Sequence, residues 1–103
     1  MSLFDILAKS GQIKEMVERF KRSLKEEYVE GSAGGGMVVV RMNGAMEIAS
    51  VKVDPEVLAD CDAEMLGDLI AAAVSQAVDR AKDLFGKKFG EMGLGVDPSM
   101  LMG

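Results

Sequence analysis

A short block in the middle of the chain constrains the fold more than any other feature. Residues 34–55 read as three glycines, an alternating strand, the pair Asn43-Gly44, a second strand and the stop Asp54-Pro55. An Asn-Gly pair between two β-branched runs is a strong hairpin signal, because both residues of a two-residue turn must accept positive φ. The sequence therefore predicts a β-hairpin that turns at Asn43-Gly44.

A two-residue turn fixes the register of the hairpin, with Val40 opposite Glu47 and Val38 opposite Ala49. In that register one face is the predicted core side and carries Val38, Val40, Met42, Ala49, Val51 and Val53. The other face is more apolar than a solvated face needs to be, since it carries Met37, Val39, Arg41, Met46, Ile48, Ser50 and Lys52. A small sheet with apolar residues on both faces needs cover on both sides, which favours a partner subunit.

The N-terminal third of the chain predicts one helix, from Leu3 to Glu27. Apolar residues recur there at steps of three and four and share one face: Ile13, Met16, Val17, Phe20 and Leu24. Ser10-Gly11 interrupts the pattern and predicts fraying or a bend. Residues 28–33 then read either as an edge strand or as a connection.

A second helical region follows the hairpin. Asp54 is suited to cap a helix and Pro55 to begin it, which predicts a short helical turn to Leu58. Asp62 precedes a long helix, from about Ala63 to Phe89, with a stripe formed by Leu66, Leu69, Ile70, Ala73, Val74, Ala77, Ala81, Leu84 and Phe85. Further apolar residues widen this stripe over most of the circumference. Such a helix packs against more than one neighbour, which is a second indication of a subunit interface.

Composition narrows the possible functions. The 103 residues suit one domain, with about 90–103 as a flexible tail. No histidine and a single cysteine, Cys61, exclude an internal disulfide, Cys/His zinc sites and Ser-His or Cys-His nucleophile pairs. We expect a cytoplasmic protein that is not an enzyme, with no cofactor, metal, small-molecule substrate or membrane partner. The net charge of −5 argues against phosphate binding driven by overall charge.

Basic residues nevertheless cluster on the two long helices. Next to Arg22, one flank of the first helix carries Lys14, Lys21 and Lys25, and Glu18 falls inside the same stripe. On the last helix Arg80 aligns with Lys87, and Lys88 lies nearby. Two interpretations are open: a salt-bridged helix surface, or phosphate contacts on helices that hold a DNA duplex.

A family resemblance rests on three consecutive segments: G-x-x-G-G-G-M-V-V-V-R-M-N-G, then I-A-S-V-K-V-D-P, then E-M-L-G-D-L-I-A-A-A-V-S-Q-A. Together they closely resemble the YbaB/EbfC family of bacterial nucleoid-associated proteins. The resemblance covers Gly31 to Ala77 well and the rest of the chain by pattern. It implies an α/β homodimer of α+β type, with an N-terminal helix, about three antiparallel strands and a long C-terminal helix, whose end helices project as arms.

The resemblance also implies a function, which is binding of duplex DNA with little sequence preference in the bacterial nucleoid. The helix cations would then contact phosphates, namely Lys14, Lys21, Arg22, Lys25, Arg80, Lys87 and Lys88. The hypothetical dimer interface comprises Met37, Val39, Met46, Ile48, Leu69 and Ala73. The alternative is a protein-interaction module that acts with replication, recombination or repair factors without binding DNA directly.

Overall fold

The computed structural model describes residues 11–91 and has the predicted α+β class. Its elements are α1 (Gly11–Glu26), β1 (Tyr28–Ala33), β2 (Val38–Asn43), β3 (Ile48–Val53), α2 (Pro55–Asp60) and α3 (Ala63–Glu91). Residues 28–33, for which a strand or a connection was expected, form a strand. The predicted helical segment 3–10 and the predicted tail segment 92–103 lie outside the described residues.

The three strands form one antiparallel sheet in the order β1-β2-β3, and α3 crosses one face of it. The core lies between these two layers and consists of Val38, Val40, Met42, Ala73, Ala77 and Ala81. Small residues bring the layers very close together. A Cβ atom on Gly31 would stand 2.1 Å from the carbonyl oxygen of Ala73. The small residues of the long helix therefore pack against β1 of their own chain.

The β2–β3 hairpin does not have the predicted two-residue turn. Val40 lies opposite Val51, because the turn is longer than expected. The amide of Asn43 donates to the oxygen of Glu47, and the amide of Met46 donates to the oxygen of Asn43, both at 3.0 Å. Met46 has a φ of 64°, whereas neither residue of the predicted turn pair is in the left-handed region. A tight turn closed by one left-handed residue is the usual three-residue hairpin loop.

An irregularity in the ladder also changes one predicted face. Between Arg41 and Met42 the pairing shifts, so that Ile48 rather than Ala49 lies opposite Met42. Residues directly opposite each other share a face, and Ile48 therefore lies on the α3 side of the sheet instead of the opposite side. A β-bulge has this effect, because one extra residue reverses the alternation beyond it.

Both predicted helix starts after the hairpin are confirmed. The carboxylate of Asp54 accepts from the amide of Glu56 at 2.9 Å, and that of Asp62 accepts from the amide of Met65 at 2.8 Å. These side chains satisfy amides that have no partner inside the helix. The long helix continues to Glu91, and thus includes the first two residues of the predicted tail.

Helix α1 packs antiparallel on the C-terminal part of α3, beyond the sheet. The ring of Phe20 lies 5.3 Å from that of Phe85 and 6.2 Å from that of Phe89, both in edge-on geometry. Leu24 is 6% exposed and anchors the last turn of α1. The earlier turns of α1, from Gly11 to Arg19, precede this aromatic cluster, and we call α1 the arm.

Candidate nucleic-acid interface

The basic side chains predicted on α1 all lie at the surface. Residues three, four and seven apart fall on one side of a helix, and an exposed flank of α1 therefore carries Lys14, Lys21 and Lys25. Arg22 is exposed beside them. Within residues 11–91 the ion pair on α1 joins Arg19 to Glu15 at 3.6 Å, and both side chains are largely exposed. Four cations on this arm are thus available to an external anion.

The basic side chains predicted on α3 behave differently. Lys88 contacts the carboxylate of Glu27 and the hydroxyl of Ser23, and its side chain is only 14% exposed. Arg80 is exposed but donates through Nη1 to the carbonyl oxygen of Glu30 at 2.5 Å. Lys87 is exposed. Lys88 therefore joins α1 to α3, which distinguishes it from the solvent-facing cations of α1.

The contact between Arg80 and Glu30 also closes one edge of the sheet. Gln76 reinforces it, since its Oε1 accepts from the amide of Ser32 at 2.8 Å. Both contacts use outward-facing backbone groups of β1, which an edge strand otherwise leaves open to pairing. No feature of the sequence distinguished Gln76 and Arg80 from the other polar side chains of α3.

The opposite edge of the sheet, formed by β3, has no comparable cover within residues 11–91. Helix α3 lies over β1 and β2 and scarcely reaches β3. Ile48 and Val51 are consequently 52% and 43% exposed, although both lie on the α3 side. The amide of Asp54 bonds to the oxygen of Met37, so by alternation the backbone of Val53 points away from β2.

The residues of the predicted dimer interface are dispersed over several places. Met37 and Met46 are partly exposed near the two turns, Val39 is half-buried on the face away from α3, and Ile48 is on β3. Leu69 is half-buried near the β1–β2 turn. Ala73 is completely buried within its own chain, below β1. It is therefore a core residue and is removed from the predicted interface.

The face of the sheet away from α3 carries one ordered polar contact that sequence reasoning did not anticipate. The guanidinium of Arg41 lies 4.2 Å from the centre of the Tyr28 ring. Such stacking holds an arginine in place without neutralising it. On the same face of β3, Ser50 lies opposite Arg41 and Lys52 lies opposite Val39, and Lys52 is exposed.

Within residues 11–91, no group of three or more Cys, Asp or Glu side chains is arranged to hold a metal ion. No helix of this part of the chain has both the length and the apolar character of a bilayer span.

The fold and the arm define a small α+β protein with a long helix across a three-stranded antiparallel sheet. The crystal structure of an uncharacterised protein from Helicobacter pylori has this fold, with a TM-score of 0.73 over 92% of this chain and 99% of that one, at 21% identity. The chain belongs to the YbaB/EbfC DNA-binding family, whose model matches residues 1–96.

Curated relatives agree with this assignment. A nucleoid-associated protein of Dictyoglomus thermophilum is 36% identical over 94% of this chain and 95% of its own length. One of Rhizobium meliloti is 37% identical over 93% of this chain and 94% of its own. One of Legionella pneumophila is 35% identical over 99% of this chain and 91% of its own. The family is thus a DNA-binding, nucleoid-associated family and not an enzyme family.

Proposed function

We propose that this protein binds duplex DNA in the bacterial nucleoid as a homodimer, with little sequence preference, mainly through phosphate contacts from α1. The observation that carries the proposal is the exposed flank formed by Lys14, Lys21 and Lys25, on a chain of a DNA-binding family. Lysines act as mobile point charges and suit phosphates better than the fixed geometry of base edges.

The dimensions of the arm favour phosphate contacts at any position along a duplex. Lys14 and Lys25 are 11 residues apart in one helix, or about 16 Å along its axis. Duplex DNA carries one negative charge per about 1.7 Å of its axis. The flank therefore meets phosphates whatever the base sequence, and binding without sequence preference follows.

The acidic net charge does not oppose this binding. From Asp54 to Asp79 the chain has acidic residues and no lysine or arginine, whereas α1, at the far end of α3, has five basic and three acidic residues and is net positive. Between positions 64 and 88 of α3 the axial distance is about 36 Å. Exposed charges are screened beyond about 10 Å at moderate salt, so DNA at the arm experiences mainly the local positive field.

The uncovered edge at β3 supports the homodimer. The contacts from Gln76 and Arg80 block pairing at β1, while β3 presents Ile48, Val51 and free backbone groups. A second copy placed there would bury these apolar side chains by a two-fold relation. It would also supply a second arm, so that one dimer grips or bridges DNA.

Salt dependence of DNA affinity tests the phosphate contacts. In K14Q/K21Q, log Kd plotted against log salt should lose about one unit of slope per phosphate contact removed. The matched control is K52Q/K82Q, which changes the net charge equally at exposed positions outside α1. Equal slopes for both variants, or wild-type affinity that does not depend on salt, would overturn the assignment of the phosphate contacts to α1.

Light scattering after size exclusion tests the homodimer separately. The wild type should have twice the chain mass, and I48D/V51D should have the mass of one chain, because two buried carboxylates oppose association. M16D, which introduces charge at an exposed apolar position on α1, should stay dimeric. A monomeric wild type would refute the interface.

A further inference from the structure

The face of the sheet away from α3 carries an ordered arginine to which the proposed function gives no role. The strand register places Glu30 directly opposite Arg41 on this face. Within residues 11–91 no carboxylate forms an ion pair with Arg41. Its guanidinium stacks instead on the ring of Tyr28, a residue that is 46% exposed. Arg41 therefore presents an unneutralised charge at a fixed place on the surface.

The sheet and α1 lie side by side on one side of α3. Ala77 and Ala81 pack beneath the sheet, Leu84 lies close to Gly44 of the β2–β3 turn, and Lys88 contacts the end of α1. These four positions of α3 follow one another at steps of four, three and four, so they share one side of the helix. The outer surfaces of the sheet and of α1 consequently both face away from α3.

The two outer surfaces meet at the base of the arm, where α1 ends and β1 begins. Leu24 is buried, and Arg22, two residues before it, lies on the opposite, exposed side of α1. Lys25 is exposed in the last turn of α1. The Cα atoms of Lys25 and Tyr28 are three residues apart in the chain and therefore at most about 11 Å apart in space. A duplex that contacts the last turn of α1 is thus within reach of Arg41.

The proposed homodimer leaves this outer surface open. It uses the free edge of β3 and the apolar side chains of Ile48 and Val51, which lie on the α3 side of the sheet. When two β3 edges pair antiparallel, the two-fold axis is perpendicular to the sheet, and the outer faces of both sheets lie on the same side. Each copy would then turn its arginine and the outer surface of its arm toward one duplex.

We propose that Arg41, held by Tyr28, binds a DNA phosphate at the base of the arm, in addition to the contacts of α1. This inference rests on the proposed function, because it extends the same duplex from α1 onto the sheet. Exposed carboxylates share the surface, at Glu18, Glu26 and Glu30, so the contact depends on the placement of one guanidinium and not on overall charge. A planar guanidinium offers paired donors to a phosphate. The stack on Tyr28 reduces the freedom that Arg41 loses on binding.

The slope of log Kd against log salt tests the contact in the full chain. R41Q should lower this slope by about one unit, because it removes one phosphate contact. K52Q is the matched control and should keep the wild-type slope, since Lys52 is exposed on the same face but opposite Val39, two residues further from α1 along β2. Y28L retains the charge and the slope, and should weaken binding about two- to fivefold by releasing the guanidinium.

Tyr28 also gives a direct readout, because it is the only tyrosine of the chain. Fluorotyrosine incorporated during expression therefore yields a single fluorine NMR signal at the stack. This signal should shift on addition of random-sequence duplex, with the same midpoint as binding. An unchanged signal at saturating duplex, or equal slopes for R41Q and K52Q, would overturn the proposal. So would conversion of R41Q to monomers, because the outer face would then belong to the subunit interface.

The α1 variant K14Q/K21Q separates this inference from the proposed function. If K14Q/K21Q loses slope and R41Q does not, the contact of Arg41 fails alone. If R41Q loses slope while K14Q/K21Q equals its control K52Q/K82Q, the assignment to α1 fails and the contact of Arg41 stands. A wild type that binds no duplex would refute both.

Discussion

The amide of Gly44 donates to the main-chain oxygen of Leu24 at 2.8 Å, and also to that of Glu27 at 3.0 Å. One residue of the β2–β3 turn thus satisfies oxygens at the end of α1 that have no partner within the helix. A Cβ atom on Gly44 would lie 2.8 Å from the same oxygen of Leu24 and 3.1 Å from Cδ2 of Leu84. The turn therefore fixes where the arm leaves the sheet.

Replacing Gly44 by alanine should loosen the arm. The added Cβ has to displace backbone at Leu24, and we expect a loss of about 1–3 kcal/mol in the free energy of unfolding. Hydrogen exchange should increase in α1 more than in β2. Urea denaturation and exchange of G44A measure both effects. G90A, with open space around the new Cβ, is the control, and a loss of the same size there would contradict the steric cause.

Replacing Gly31 by alanine should damage the core itself. Its Cβ would stand 2.1 Å from the oxygen of Ala73 and 2.5 Å from the nitrogen of Ala77, and both are backbone atoms. We expect a loss above about 3 kcal/mol, because the helix and the sheet must separate. G67A is the control at an exposed position of α3, where no atom lies within 4 Å of the new Cβ. It should gain about 0.5–1 kcal/mol, and thermal unfolding compares the two variants.

The side chain of Asn43 should stabilise the β2–β3 turn. Its Oδ1 accepts from the amides of Ala45 and Glu47, each at 3.0 Å, and its Nδ2 donates to Glu47 at 2.9 Å. N43A removes these three hydrogen bonds, each worth about 0.5–1.5 kcal/mol, and should cost about 1–3 kcal/mol. E47Q retains an accepting oxygen, and its free energy of unfolding in urea should be close to that of the wild type. A similar loss of stability in both variants would indicate that the carboxylate of Glu47, and not the side chain of Asn43, stabilises the turn.

Substitution of Lys87 and of Lys88 should have different effects on stability although the two residues are adjacent. K88Q removes the link to Glu27 and Ser23 and should lower the free energy of unfolding by about 1 kcal/mol. Its slope of DNA affinity against salt should equal that of the wild type. K87Q should leave the free energy of unfolding unchanged, since Lys87 is exposed. If K88Q changes the slope of DNA affinity against salt, Lys88 contacts phosphate after all.

Local sequence signals were sufficient for most elements of the fold. Asp54, Pro55 and Asp62 marked the two later helices correctly, because a cap acts on amides two or three residues away. The alternation along β2 identified Val38 and Val40 as core residues, since one face of that strand meets α3. These assignments depend on neighbours in the chain and needed no distant contact.

The predicted register of the β2–β3 hairpin was wrong, and the physical reason lies outside the hairpin. Asn-Gly usually means positive φ at both positions, but here the glycine is required by the close approach of Leu24. Met46 takes the left-handed conformation instead. The longer turn and the bulge at Met42 then move Ile48 to the other face. No pattern within residues 43–48 encodes the position of α1.

The sequence by itself determined the helices, the two strands of the hairpin, the core face of β2 and the family, because periodicity, caps and motifs act over a few residues. Only the tertiary structure decided what each basic side chain does. Lys88 became part of the α1–α3 joint and Arg80 part of the closed β1 edge, whereas the lysines of α1 remained exposed. A charge acquires its role from the groups that folding brings beside it, and those groups lie 50 or more residues away in the chain.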